Sequence, residues 1–346
     1  MYSRLKLIAL MSVTAIFSLS LPVYGETPSP LLTQNSSFLA QNSTAEADKL
    51  FEEGVKLHRR GQYFKALEVY QRVLKIRRQQ EDKARIAETL NKIGQVYINL
   101  GENDKADPVS QEALTIYREL KDRKGEGESL YNISLVYAGK NQHNRALEIF
   151  QESLAIRREV KDRKGEAKTL RQIGWVHGII LNKHAEGIQI LQQALKIQEE
   201  IGDEYQASFT LMNMGWIYYF SKDYPRALEF LEKARALSRK ANNPVREVFS
   251  SKTLALIYIN QGNEKASLEV LESALAVARK NQLRLEELSI LELLVAVYNS
   301  SGEFARSRDL AQDYVKLAKE LEKRQDEANA ILWLGRAYIK LRNYQE

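Results

Sequence analysis

Four histidines, His58, His143, His177 and His184, are the side chains of this 346-residue sequence best suited to acid-base or metal chemistry, and their placement argues against both. His177 and His184 are seven apart, which would set them on one face of a continuous helix, but an irregular turn is expected between them. His184-Ala185-Glu186 matches the H-x-E of zinc deaminases, a chemistry that needs cysteines to hold its zinc. The sequence contains no cysteine. A cysteine nucleophile, a disulfide framework, Cys-ligated zinc and the lipidated cysteine of a bacterial lipoprotein are therefore excluded. There is no GxxxxGK[ST] loop, no GxGxxG following a strand and no HExxH. Gly125-x-Gly127 reads as a turn in a linker. The expectation is a protein that is no enzyme, with no catalytic residue, no metal and no cofactor.

Binding chemistry is better represented. Lys92, Asn132, Gln172, Asn213 and Thr253 recur at spacings of 40 or 41 residues. Amide side chains both donate and accept, so a ladder of them can pair with the backbone of an extended peptide whatever its sequence. Trp175 and Trp216 stand three residues beyond two of these rungs, with Tyr131, Met212, Tyr219 and Phe220 nearby. Trp and Tyr dominate binding hot spots, so these residues either form an apolar anchor pocket or pack as core between adjacent elements. Basic and acidic pairs such as Arg59-Arg60, Arg157-Arg158 and Glu199-Glu200 are interspersed, and 51 Lys+Arg stand against 45 Asp+Glu. A phosphate-binding surface wants a one-signed stripe, so no nucleic-acid partner is expected.

The elements that must position these residues repeat. Gly54, Gly94, Ser134, Gly174, Gly215, Ala255, Val295 and Gly335 are separated by 40 residues, with a single step of 41 between Gly174 and Gly215. Most are followed, three residues on, by a tyrosine such as Tyr97, Tyr137, Tyr218 or Tyr258, which is a helical phase. A turn then leads to a second helix with small residues at Ala66, Ala106, Ala146, Gly187, Ala227, Ser267 and Ser307, and fillers at Tyr70, Phe150, Leu191, Leu231 and Leu271. Fixed self-similarity of this length marks an array whose units are stable only when stacked.

In "TLNKIGQVYINLGENDKA" (89–106) and "SLYNISLVYAGKNQHNRA" (129–146) the chain resembles the tetratricopeptide repeat family, in its forty-residue kinesin-light-chain-like form. It is also similar to exported cyanobacterial arrays in the linker Lys121-Asp122-Arg123-Lys124-Gly125-Glu126, which recurs from Lys161 to Glu166. The resemblance implies an all-α superhelix, a solenoid of about seven and a half helix pairs over residues 45–346. Its first helices would line a concave groove for a peptide or protein segment. In that groove Lys92, Asn132, Gln172 and Asn213 would hold backbone, while Tyr131, Trp175, Trp216 and Tyr219 would anchor apolar side chains. Three departures stand out. Pro108 should delay or kink its helix; the extra residue near Gly178–Gly187 should make a bulge; and Ile331, Leu334, Tyr338 and Leu341 should form an uncapped apolar face.

The ends complete the reading. Arg4 and Lys6, an apolar run from Leu7 to Leu21 and a small residue at Gly25 read as a signal peptide over 1–25. Its removal would leave no membrane insertion, and the polar stretch 26–44 would be a flexible linker. The expected location is export, to periplasm, thylakoid lumen or medium, and the expected role is a non-enzymatic interaction scaffold. Three alternatives remain at this level: a sensor array for a CHAT-like effector beyond residue 346, self-association through the last helix, and a groove filled by the chain's own Leu31–Ala40 segment.

Overall fold

A computed structural model describes residues 38–341, and all regular elements in that range are helical. The chain divides after Val176 into two compact units. The first holds α1 (Phe38–Arg59), α2 (Tyr63–Gln79), α3 (Lys83–Asn99), α4 (Asn103–Glu119), α5 (Arg123–Gly139), α6 (His143–Glu159) and α7 (Arg163–Trp175). The second holds α8 (His184–Glu200), α9 (Glu204–Phe220), α10 (Tyr224–Lys240), α11 (Pro244–Asn260), α12 (Glu264–Lys280), α13 (Arg284–Ser300), α14 (Phe304–Glu320) and α15 (Arg324–Leu341). The leader expected at 1–25 lies outside the described residues. α1 begins at Phe38, inside the stretch expected to be a linker, and Thr44 is fastened to the next hairpin by a 3.1 Å hydrogen bond from Gln80.

The forty-residue period has a local origin. From α2 to α6 two seventeen-residue helices and two three-residue linkers fill each repeat. Every linker turns on one left-handed residue: Gly61, Gly101, Gly202, Gly262 and Gly302, or a non-glycine residue such as Glu81, Lys121, Asn141 or Lys161. Around Gly101 (φ 74°) its own N–H bonds back to Ile98 and the Glu102 N–H bonds back to Tyr97, so two end carbonyls of α3 are satisfied. The third linker residue then caps the next helix. Asp82, Asp122, Asp162, Asp203, Asp223, Asn243 and Asn263 each accept from the backbone N–H three residues on. Such caps contribute about 0.5–2 kcal/mol apiece.

The Lys-Asp-Arg-Lys-Gly-Glu linker motif is part of this hardware. Asp122 and Asp162 accept from Gly125 and Gly165 at 3.0 Å, while Glu126 and Glu166 take Arg118 and Arg158 at 2.9 Å. Its recurrence reports two identically built corners.

Packing follows the expected pattern. Ala66, Ala106, Ala146 and Ala227 are fully buried, as are the fillers Tyr70, Phe150, Leu191, Leu231 and Leu271. Within each unit the first helices also touch one another: α3 with α5 in one, α9 with α11, α13 and α15 in series in the other. The first helices thus form a layer of their own beside the second helices. Pro108 does not delay α4, which starts at Asn103 in register with its counterparts; the ring lies on the exposed side, where the carbonyl it leaves unpaired meets water. The extra residue of the fourth repeat is absorbed by a π turn over Val176–Ile180. On α15 the exposed apolar residues are Ile331, Leu332 and Ile339; Leu334 and Tyr338 are half-buried instead, and Tyr338 accepts from Gln312 of α14 at 3.2 Å.

The small position of the first helix exists because the second helix comes close. A methyl on Gly215 would sit 2.6 Å from Leu231 Cγ, whereas one on Gly335 of α15 would meet nothing within 4 Å. Gly215→Ala is expected to destabilise by about 1–3 kcal/mol through overpacking. Gly335→Ala should instead stabilise by about 0.5–1 kcal/mol through helix propensity. Urea melts of both variants check this, and equal effects would refute the close-approach account.

Candidate peptide-binding face

The first helices expose one narrow line of side chains. In α3 the half-buried positions include Glu88, Lys92 and Gln95; in α5, Glu128 and Leu135; in α7, Lys168, Gln172 and Trp175. The second unit continues the pattern with Phe209, Tyr219 and Phe220 on α9, Phe249 and Lys252 on α11, and Ser289 and Glu292 on α13.

The expected amide ladder is split between buried and half-buried rungs. Asn132 is fully buried: its amide donates to the Asn91 carbonyl at 3.2 Å and side chain at 3.3 Å, and its oxygen accepts from Gln95 at 3.4 Å. Asn213 and Thr253 are buried too. Lys92 is half-buried and reaches Glu128 Oε1 at 3.4 Å, and Gln172 is half-buried. Asn132, Asn213 and Thr253 are therefore sealed within the array, Asn132 as a strut to the neighbouring first helix, while Lys92 and Gln172 at equivalent positions stay on the exposed line. Residues seven apart lie within about 20° of each other around the axis, so half-buried Trp175 and Lys168 share one line, as do Leu135 and Glu128.

The aromatic anchors separate likewise. Tyr131 is buried, its ring 5.7 Å from Phe150, and Trp175 is half-buried. Trp216 is 7% exposed, stacked on Phe220 at 5.6 Å and edge-on to Tyr219 at 5.9 Å. Tyr219 is held by Asn260, whose amide donates to the phenol oxygen at 3.0 Å. Trp175 belongs to the first unit and Trp216 to the second. In the second unit Trp216 is the floor beneath the more accessible Tyr219 and Phe220.

Charged residues on this line were missed by the sequence reading. Lys168 and Glu128 stand seven residues before Trp175 and Leu135, and Lys252 and Glu292 four before Leu256 and Ala296. Extending the line by helical spacing would have found them. Their surroundings perturb them strongly. Burial, reinforced by Arg157, Lys92 and Arg171 against the pull of Glu128, brings the Lys168 ammonium down to about 7. Burial and then Lys92 and Lys168 lower His58 to about 4. Burial opposes the Glu128 carboxylate, yet Lys92, Lys168 and Arg157 together hold it below its ordinary range. In the second unit burial takes Lys252 to about 8 against Glu286 and Glu292, and burial with Asp326 raises Glu292 to about 7. Among the described residues no group of three or more His, Cys, Asp or Glu is placed to hold a metal, and no helix is long and apolar enough to cross a membrane.

One pH dependence follows. The unfolded chain keeps the Lys168 proton up to its ordinary value of 10.5, while the folded chain releases it near 7. Between those limits the unfolded state binds more protons, so this residue's contribution to stability climbs with pH. Denaturant melts at pH 7 and pH 10 should show a smaller rise for Lys168→Met than for the parent. An unchanged rise would show that Lys168 is not desolvated.

Comparison with known proteins agrees with the architecture. A tetratricopeptide repeat model matches residues 54–119, 85–159 and 165–240, and a second such model matches 253–281. No curated protein sequence matches the chain. Among solved structures it is similar to a Signal Transduction ATPase with Numerous Domains (STAND) protein with a tetratricopeptide repeat sensor from Pyrococcus horikoshii. The identity is 18%, over 85% of this chain and 45% of that one, with a TM-score of 0.62. It spans less than half of that protein. The apo form of RapI is 19% identical over 80% of this chain and 99% of its own, with a TM-score of 0.56. The Rap conjugation gene regulator of plasmid pLS20, in complex with the Phr* peptide, is 16% identical over 93% and 80%, also at 0.56. These comparisons correct the expected location. The similar proteins include a signal transduction ATPase and a conjugation gene regulator, and the assignment to periplasm, thylakoid lumen or medium is withdrawn. Repeat models cover more than half of the sequence, and the chain belongs to the tetratricopeptide repeat family.

Proposed function

We propose that this chain is a non-enzymatic scaffold that binds a peptide or protein segment along the exposed line of its first helices. The observation that carries the reading is the line itself. Within each unit the first helices form a layer whose half-buried residues, Lys92, Gln172 and Trp175 in one and Tyr219 and Phe220 in the other, are held in place by packing on their sides. A preorganised row loses little entropy when a ligand arrives. The regular seventeen-residue helices also fit the forty-residue form that the sequence resembles in kinesin-light-chain-like proteins. Support comes from a protein of similar fold that has been seen with the Phr* peptide bound. A second reading, in which the array is the sensor of a longer signalling protein, is favoured by its likeness to the STAND sensor.

The test is capture from host extract by the full chain, followed by affinity measurement on whatever segment is retained. Gln172→Ala, Trp175→Ala and Tyr219→Ala combined should weaken it at least tenfold with helicity by circular dichroism unchanged, since a hot-spot side chain is worth about 2 kcal/mol or more. Lys83→Ala, on an exposed ion pair with Glu119, should leave it intact. Unchanged affinity in the triple variant would move the site off the first helices.

A further inference from the structure

Four aromatic rings crowd the C-terminal end of α9. Trp216 stacks on Phe220 with centroids 5.6 Å apart, and Tyr219 meets Phe220 at 5.4 Å and Tyr224 of α10 at 6.1 Å. Tyr219, Phe220 and Tyr224 are half-buried, so part of each ring is open to a ligand. Elsewhere in the second unit the chain lays its own cations on its rings: Arg226 is 5.4 Å from the centre of Tyr218, Arg246 3.3 Å from Phe209 and Lys252 5.4 Å from Phe249. Among the described residues no cation lies over Trp216, Tyr219, Phe220 or Tyr224. Lys222, in the linker between the two tyrosines, is exposed and covers none of the four. The polar atoms beside the rings have lone pairs to spare. Asn260 of α11 donates to the Tyr219 oxygen at 3.0 Å, which leaves its Oδ1 without a donor among the described residues, and the Tyr224 hydroxyl has no partner there either.

We propose that this place receives the guanidinium of an arginine in the bound segment, laid against the Tyr219 and Phe220 rings and donating to Asn260 Oδ1 and the phenol oxygens. The inference rests on the first-helix line being the ligand surface, and adds the chemistry of one ligand residue. The face of an aromatic ring is its negative pole and attracts a cation. A guanidinium is planar, weakly hydrated and carries five donors, so it stacks and donates at once. An ammonium is a strongly hydrated point charge and gains less from a flat stack. An aliphatic side chain would cover the three oxygens without pairing them, and a carboxylate would meet ring faces of the wrong sign.

The receptor is set before a ligand arrives. Trp216, 7% exposed, is the floor on which Phe220 stacks, and Asn260 fixes the Tyr219 hydroxyl from the next first helix. Little ordering is left for the ligand to cost. The charge of the arginine should therefore account for about threefold or more in affinity.

The test needs no biological partner. Full-length protein labelled with ¹⁵N-tryptophan is titrated at constant ionic strength with N-acetylarginine amide. The controls are N-acetylcitrulline amide, of the same shape without the charge, N-acetyllysine amide and N-acetylleucine amide. The Trp216 indole signal, assigned by its loss in Trp216→Phe, should shift and saturate with the arginine probe, while each control binds about threefold or more weakly. Phe220→Leu should weaken the arginine probe by a similar factor and Phe220→Tyr should restore it, with helicity by circular dichroism unchanged. No saturating shift at Trp216, an equal shift at Trp175 and Trp333, or a smaller difference for any control would each overturn the proposal. If the probe fails while a captured segment is still lost from the Gln172, Trp175 and Tyr219 variant, the arginine inference falls and the groove reading stands. If the probe binds while that variant keeps its segment, the groove reading falls instead.

Discussion

A seventeen-residue helix with an apolar side cannot hide that side by itself, and in this chain the partner offered to it is the next helix along. Most of the stability of such a helix comes from packing its apolar face. Close approach at Gly54, Gly94 and Gly215, where the Cβ of any larger residue would meet Tyr70, Ser110 or Leu231 below 3 Å, brings first and second helices into contact. The fillers Tyr70, Leu191 and Leu231 then lose all exposure, at about 1.5–3 kcal/mol of burial each. Stability accordingly belongs to neighbouring pairs rather than to any one element.

The same stacking decides what remains outside. A first helix is covered by its own second helix, by the second helix before it and by neighbouring first helices, which leaves a narrow strip. Polar groups just beside that strip become fasteners: Asn132 ties α5 to α3, and Ser129 donates to Asn91 at 3.0 Å. Charged groups on the strip keep partial access to water but lose enough of it to shift. Lys168, Lys252 and Glu292 are all moved toward neutrality, the condition in which a small change in nearby charge alters protonation. Perturbed groups of this kind cluster where proteins bind or react. Around Lys168 the first unit is weighted toward cations, with Lys92 on the strip and Arg157 and Arg171 buried beside it, against Glu128. On the second unit's strip aromatic residues of α9 are followed by Lys252, Glu286 and Glu292.

Much of the fold was legible because it is written in short-range chemistry. Small residues every forty positions, tyrosines one turn later and Asp or Asn before the first helices α3, α5, α7, α9 and α11 act within a few residues of where they stand. The extra residue near Gly178 could be located, and the π turn at Val176–Ile180 accommodates it locally. Pro108 was harder to read, since a ring on the exposed side of α4 costs less than one facing the core and nothing local says which way it faces. The recurring Lys-Asp-Arg-Lys-Gly-Glu looked like a mark of kinship, and is explained by a cap and ion pairs at two equivalent corners.

By itself, then, the sequence determined the helix pairs, their period and the layer of first helices, because periodicity and capping are properties of adjacent residues. Tertiary structure alone decided which residues of that layer are available. Asn132 and Gln172 hold equivalent places in their repeats, yet the first is sealed between α3 and α5 while the second keeps contact with water. The two share one angle on their helices, and what makes one a strut is the neighbouring helix, which sets Asn91 within reach of Asn132. Lys168 shows the same point in charge: its protonation depends on Arg157, Lys92 and Arg171, which come from three helices and meet only when the first unit is assembled.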